Sequence, residues 1–316
     1  MNHSSVTEII LLGFSLRHDN RICLFVIFLL IYISTILANV FIIIMVYSNN
    51  HLHNPMFILL GNFSFLEICY SAVTVPKMLS DLIGQNPTIS VAGCIIQYHF
   101  FSLCAATEHF LLVIMAYDRH LAICNPLHYE RIMNNKTCIQ LVCICWVTSA
   151  MSLSIPAFSV SRLIFCGPNI IDHFFCEFNP LLQLSCTDTS TLQTIFTFLS
   201  WVIILGCLIC ISVSYIQIIF TVIRIPSSLG KRKAFSTCAS HLAVVGIFYG
   251  TVIFIYLRPT VEIPFHQNKV VSVFYIVVTP MLNPIIYSFR NESLRKAAIN
   301  CMKTVRMYTF MRKLDI

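Results

Sequence analysis

Charge is what this chain has least of. Asp, Glu, Lys and Arg together make up 10% of its 316 residues, against about 25% in a soluble globular domain, so most of the chain is not built to meet water. No polar stretch reaches domain size, which excludes an appended soluble domain. Short segments of alternating apolar and polar residues are missing as well, and with them the pattern of a membrane β-barrel. Neither an internal repeat nor a pair of broken half-helices is apparent, which argues against a transporter or channel. The 11 histidines are scattered along the chain. A membrane enzyme would gather them with Asp at one face around a metal or a nucleophile.

What the sequence does have is seven long apolar stretches, at roughly 23–47, 56–82, 93–119, 138–160, 192–222, 236–257 and 270–289. Mean hydropathy is +0.81 and 57% of residues are hydrophobic. Each stretch is long enough to cross the hydrocarbon core as a helix, and a helix satisfies its own backbone there, so the fold class is an all-α, seven-transmembrane helix bundle. Lys and Arg set its orientation. One side collects fourteen of the 20 basic residues, among them Arg119, Arg131, Lys136, Arg224, Lys231, Arg232, Lys233 and Arg295. The other holds Arg17, Arg21, Lys77, Arg162, Arg258 and Lys269. The basic side is read as cytoplasmic, which puts the N-terminus outside and makes the net charge of +7 a topology signal, with no nucleic-acid partner implied. Residues 1–316 are expected to form one domain: an extracellular tail over 1–22, the bundle over 23–289 and a cytoplasmic tail over 290–316. Basic and apolar positions alternate over 291–312, as expected of a short amphipathic helix on the lipid surface.

The first apolar stretch is too long for a cleaved signal peptide and is read as an uncleaved anchor. Asn2-His3-Ser4 is a glycosylation acceptor on the outer side. The same pattern at Asn62, Asn135 and Asn291 falls within a span or on the cytoplasmic side and is read as chance.

Four features inside the spans are chemically unusual. Asn39 sits among apolar residues and is expected to hydrogen-bond between helices. Glu67 and Glu108 are carboxylates at membrane depth, where they must be protonated, hydrogen-bonded or sharing a cation; a sodium ion between them is one expectation, two satisfied neutral acids the other. The run from Gly93 to Cys124, about 48 Å long as a helix, ends on the opposed charges of Asp118 and Arg119. Pro280 and Pro284 close the last span and should kink it. The fourth span is expected to end near Pro156, and the basic segment from Ile225 to His241 to be a turn leading into the sixth. Of the 15 cysteines, Cys94, Cys166, Cys176 and Cys186 lie on the outer, oxidising side. Two disulfides are expected, with three pairings open, and zinc is a weaker alternative raised by His173 near Cys176.

Taken together, these motifs resemble the odorant receptors, of the tetrapod type, within the rhodopsin-like G-protein-coupled receptors. LHNPMF (52–57), MAYDRHLAIC (115–124), KAFSTCASH (233–241) and PMLNPIIYSFRN (280–291) carry the likeness, along with Cys166…HFFCE…Cys186. The resemblance implies disulfides Cys94–Cys176 and Cys166–Cys186. It implies a cytoplasmic switch in which Asp118 holds Arg119 at rest, with Asn283, Pro284 and Tyr287 rearranging as the sixth span swings out. Glu67 and Glu108 match acidic positions that can form a sodium site. A ligand cavity is implied between Phe101, Ser102, Ala105, Ala106, Phe178, Tyr249, Val252, Tyr256 and Ile276. None of these is ionised, so the expected ligand is a small, neutral, mostly apolar volatile. The implied partners are a stimulatory heterotrimeric G protein that raises cyclic AMP and the lipid of a plasma membrane, in sensory cilia. Two residues depart from the family pattern: His120 replaces the usual Tyr after Asp-Arg, and Glu67 replaces a more usual Asp.

Overall fold

The structure is a computed structural model that describes residues 6–14, 18–84, 87–166, 168–256, 265–290, 294–297 and 299. In chain order the elements are β1 (Glu8–Leu11), α1 (His18–Ser48), α2 (Pro55–Ile83), β2 (Thr88–Ser90), α3 (Val91–Cys124), α4 (Pro126–Ile132), α5 (Asn135–Ser161), β3 (Ile170–Ile171), α6 (Phe178–Gln183), α7 (Ser190–Arg224), α8 (Ser228–Tyr256), α9 (Phe265–Val273) and α10 (Thr279–Arg290). Seven of these helical runs are long and apolar enough to cross a membrane, α9 and α10 forming the seventh together.

Local chemistry sets several of the helix starts. Asn54 accepts from the Phe57 N–H ahead of α2, with Pro55 at the first helical position, where its missing N–H costs nothing. Ser90 caps α3 through the Gly93 N–H, and a Cβ at Gly93 would lie 3.0 Å from the Ser90 hydroxyl. Asn134 caps α5 through the Thr137 N–H. Packing then sorts the helices by depth. In their most apolar stretches α2 and α3 are 56% buried, against 22% for α1 and 28% for α5 and α7. The first pair therefore forms the centre of the bundle, while α1, α5 and α7 turn residues such as Leu37, Met151 and Phe198 to lipid.

Three expectations are corrected, and the N-terminal tail shows a feature that the sequence analysis did not address. The N-terminal tail is tied down: β1 pairs antiparallel with β2, Glu8 opposite Ser90, and parallel with β3, Ile10 opposite Ile170. Ile9 and Leu11 are fully buried, and Phe14 stacks on Phe174 with ring centroids 5.3 Å apart. The fourth span runs past Pro156 to Ser161. The basic segment before the sixth span is helix from Ser228, started by Ser227, whose hydroxyl accepts from the Gly230 N–H at 3.3 Å. In the seventh span the irregularity precedes the prolines as one wide turn over Phe274–Val278, where the Thr279 N–H reaches back five residues to the Phe274 carbonyl. Asn2 and most of 291–312 lie outside the described residues; Leu294 to Ala297 are helical.

Candidate ligand cavity and intracellular switch

An inner cavity of about 100 Å³ opens between α3, α5, α7, α8 and the seventh span. From α3 it is lined by Phe101, Ser102, Ala105, Ala106 and His109, one face of a 3.6-residue helix. Phe196, Ser200, Ile203 and Ile204 of α7 close the opposite wall, and Tyr70, Leu153, Phe248, Val252 and Tyr275 complete it. Among the described residues no Asp, Glu, Lys or Arg lines it. His109 supplies the polar point of its wall, with Nδ1 3.1 Å from the Tyr249 hydroxyl and its ring 4.7 Å from that of Phe248.

Of the residues expected to line one cavity, Phe101, Ser102, Ala105, Ala106 and Val252 come together there. Three others do not. Tyr249 is buried outside the lining, bonded to His109. Ile276 is fully buried within the wide turn and is not part of the lining. Phe178 starts α6 and lines a separate chamber above. The Tyr256 side chain lies outside the described residues. The α7 wall escaped the sequence reading, although positions 196, 200, 203 and 204 have helical spacing and include a serine in an apolar span.

That outer chamber, about 370 Å³, is bounded by Tyr98, Phe101, Ser102, Asp172, His173, Glu177, Phe178 and Phe196, among others. Asp172 forms an ion pair with Lys269, which also donates to the Gly13 carbonyl at 2.8 Å. Glu177 Oε1 accepts from the Tyr275 hydroxyl at 3.1 Å. His173 is buried and neither ring nitrogen has a hydrogen-bond partner among the described residues. Burial pushes its pKa below the ordinary 6.5, and nearby Lys269 adds to this, while Glu177 and Asp172 oppose it.

Disulfides hold the loop that forms this chamber. Cys94 joins Cys176 with Cα atoms 5.5 Å apart, and Cys166 joins Cys186 at 5.6 Å. Gln97 braces the first, donating to the Val73 carbonyl at 3.1 Å and accepting from the Cys176 N–H at 3.0 Å. With its sulfur in a disulfide, Cys176 has no thiolate to offer zinc, so that alternative falls. Among the described residues no three of His, Cys, Asp and Glu gather as metal ligands.

At the opposite end of α3, Arg119 Nη1 lies 3.7 Å from Asp118, and both are buried. Asp118 also accepts from the Tyr129 hydroxyl of α4 at 2.8 Å, a partner that the sequence analysis did not include. Arg119 Nε has no partner. The Tyr215 hydroxyl lies 2.7 Å from His241 Nδ1, linking α7 to α8. Asn283 Nδ2 donates to Glu67, and Asn39 donates to the Pro280 carbonyl at 3.2 Å, so α1, α2 and α10 meet around the proline-bearing turn. Pro284 is buried beside Asn283. Tyr287 packs edge-on against Phe63 at 6.2 Å with its hydroxyl unpaired. Among the described residues, Glu108 Oε1 and Asn283 Oδ1 are buried acceptors without donors. His120 leans on Tyr117, with ring centroids 6.4 Å apart, and its buried Nδ1 has no partner.

Seven spans, an apolar cavity and an Asp-Arg pair at the far end of α3 are the parts of a receptor. A family model described as "Olfactory receptor" matches residues 28–304. The chain belongs to the olfactory receptor family. Human olfactory receptor 11G2 is 46% identical over 94% of this chain and 86% of its own length. Human olfactory receptor 11H4 is 45% identical, covering 97% and 96% respectively. Rat olfactory receptor 1468 is 41% identical, covering 96% and 98%. As a member of this family the chain is a multi-pass G-protein-coupled receptor of olfaction and not an enzyme.

Proposed function

We propose that this olfactory receptor binds a small, neutral, mostly apolar volatile in the inner cavity and answers by activating a stimulatory heterotrimeric G protein, raising cyclic AMP. Esters, alcohols, ketones and terpenoids have the right chemistry. The observation that carries the ligand class is the cavity wall itself, which is aromatic and aliphatic, with Ser102, Ser200 and His109 as hydrogen-bonding points and no ionised side chain among the described residues. Ligand that fits the cavity better in one arrangement of α3, α7 and α8 shifts the population toward it, and the cytoplasmic ends of the same helices carry Arg119, Tyr215 and His241. On this reading residues 1–316 act as one receptor domain in the plasma membrane of sensory cilia, glycosylated at Asn2. Asp118, Arg119, Asn283, Pro284 and Tyr287 are its switch. The donor-less oxygens of Glu108 and Asn283, beside Glu67, suit a sodium ion, which Glu67 and Glu108 would hold.

The test is cyclic AMP in cells expressing a tagged receptor, screened against neutral volatiles, with Ala105→Leu alongside. Ala105 lines the cavity, and the added branched side chain takes up much of its space. For an active neutral odorant the half-maximal concentration should rise about tenfold or more, the equivalent of about 1.4 kcal/mol, with surface staining unchanged. An unchanged dose-response curve would place the ligand elsewhere.

A further inference from the structure

We propose that the outer chamber is a second ligand subsite, which takes the ammonium head of an amphiphilic amine while its apolar tail enters the inner cavity. The two spaces adjoin, since Phe101, Ser102 and Phe196 line both. The inner one, about 100 Å³, accommodates a single ring or a short chain. The outer one, about 370 Å³, leaves room for a polar head that keeps part of its water.

Charge selects the sign of that head. Two carboxylates line the chamber, Asp172 and Glu177. Lys269 is committed to Asp172 and to the Gly13 carbonyl. Glu177 is bonded to a neutral hydroxyl, that of Tyr275, and no ion pair is formed by it among the described residues. An anion would therefore meet uncompensated negative charge, whereas a cation would find a partner. Burial disfavours a charge on His173, so it adds little repulsion toward one.

The walls suit the same guest. Phe178 and Phe196 stack with centroids 3.8 Å apart, and Tyr98 lies 5.6 Å and 6.3 Å from them. Aromatic faces attract organic ammonium ions through their quadrupoles, and they do so beside a carboxylate here. Glu177 is also pre-positioned, because it follows Cys176, which is tied to α3 by the Cys94 disulfide and by Gln97. A group held in place before binding loses little freedom when it binds.

The inference rests on the inner cavity being the odorant's seat, and a matched set of probes separates the two readings. 2-Phenylethylamine, 2-phenylethanol and N-acetyl-2-phenylethylamine share one tail and differ in head: cationic, hydroxyl and neutral amide. Binding of each is measured as thermal stabilisation of the full-length receptor in lipid nanodiscs, with Glu177→Gln, which keeps an acceptor for Tyr275, beside the wild type. The amine should bind the wild type more tightly than the acetylated amine, and Glu177→Gln should weaken the amine by about tenfold to a hundredfold, as loss of a hydrogen-bonded charge partner does. The alcohol's affinity should not change. Equal binding of amine and amide to the wild type overturns the proposal without any variant, and so does an amine affinity that Glu177→Gln leaves intact. An alcohol that does not bind, with an amine that binds through Glu177, would sink the neutral-odorant reading and leave the chamber standing.

Discussion

Replacing Cys94 by Ala should abolish the odorant response and remove most of the receptor from the cell surface. Cys94 and Cys176 are both fully buried, in the cluster that joins the top of α3 to the outer loop, β1 and α6. Their disulfide closes 82 residues of sequence. Loss of such a bond costs about 2–5 kcal/mol in domains where it has been removed. Here it also frees the loop segment that carries Phe174, Phe175 and Glu177. Phe175 packs on Phe101 at 4.9 Å, so a residue of the cavity wall loses the ring that backs it. Cys166 and Cys186 close 20 residues, and the logarithmic growth of closure entropy makes their loss milder by about 1 kcal/mol. Cys166→Ala with Cys186→Ala should therefore retain more surface receptor and a higher unfolding temperature than Cys94→Ala. Surface staining and thermal unfolding of the two variants check this, and equal losses would show that loop length is not what sets their weight.

The features legible in the sequence are those for which composition or spacing leaves little choice. Each membrane span must satisfy its own backbone in lipid, so seven apolar stretches could only be helices, and the observed ends differ mainly where polar residues extend the helix into water. The α3 face of the cavity was reached only through the family resemblance, which implied Phe101, Ser102, Ala105 and Ala106 by their positions along the third span; the spacing of the residues alone did not single them out. The α7 face was not reached, because in a span that is apolar nearly all round Phe196 and Ile203 look the same as Phe198 and Ile209, which face lipid. Only packing tells them apart. Ile9 and Leu11 form too short an alternation to announce a strand, and β1 exists because β2 and β3 present edges to it. The wide turn at Phe274–Val278 could not be read from the prolines, since it lies before them and is stabilised through space, with Asn39 of α1 taking the Pro280 carbonyl. Tyr129 was missed for a related reason: its role depends on α4 folding back beneath α3.

Arg119→Ala should leave odorant binding within about threefold of the wild type and cut the maximal cyclic AMP signal by about tenfold or more, a shift of at least about 1.4 kcal/mol in the active population. The geometry of the pair gives the reason. Arg119 is 7% exposed and Asp118 1%, yet the nitrogen–oxygen distance is 3.7 Å, too long for a tight charge-assisted bond. Asp118 is held instead at 2.8 Å by the Tyr129 hydroxyl, and the Nε of Arg119 is left over. A buried guanidinium with spare donors gains by finding acceptors, and on the proposed reading an incoming protein that offers carbonyls would supply them as α8 moves. The alanine variant cannot make those bonds, whatever the ligand does above. Tyr129→Phe tests the other side of the same balance. It deletes a hydrogen bond to a charged group, worth about 1.5–3 kcal/mol, from the resting arrangement alone, so signalling without odorant should rise. Opposite signs from two substitutions on either side of Asp118, with both receptors at the cell surface, are the outcome a switch requires. Two losses of signal would mark Asp118, Arg119 and Tyr129 as structural support for the end of α3 and no more.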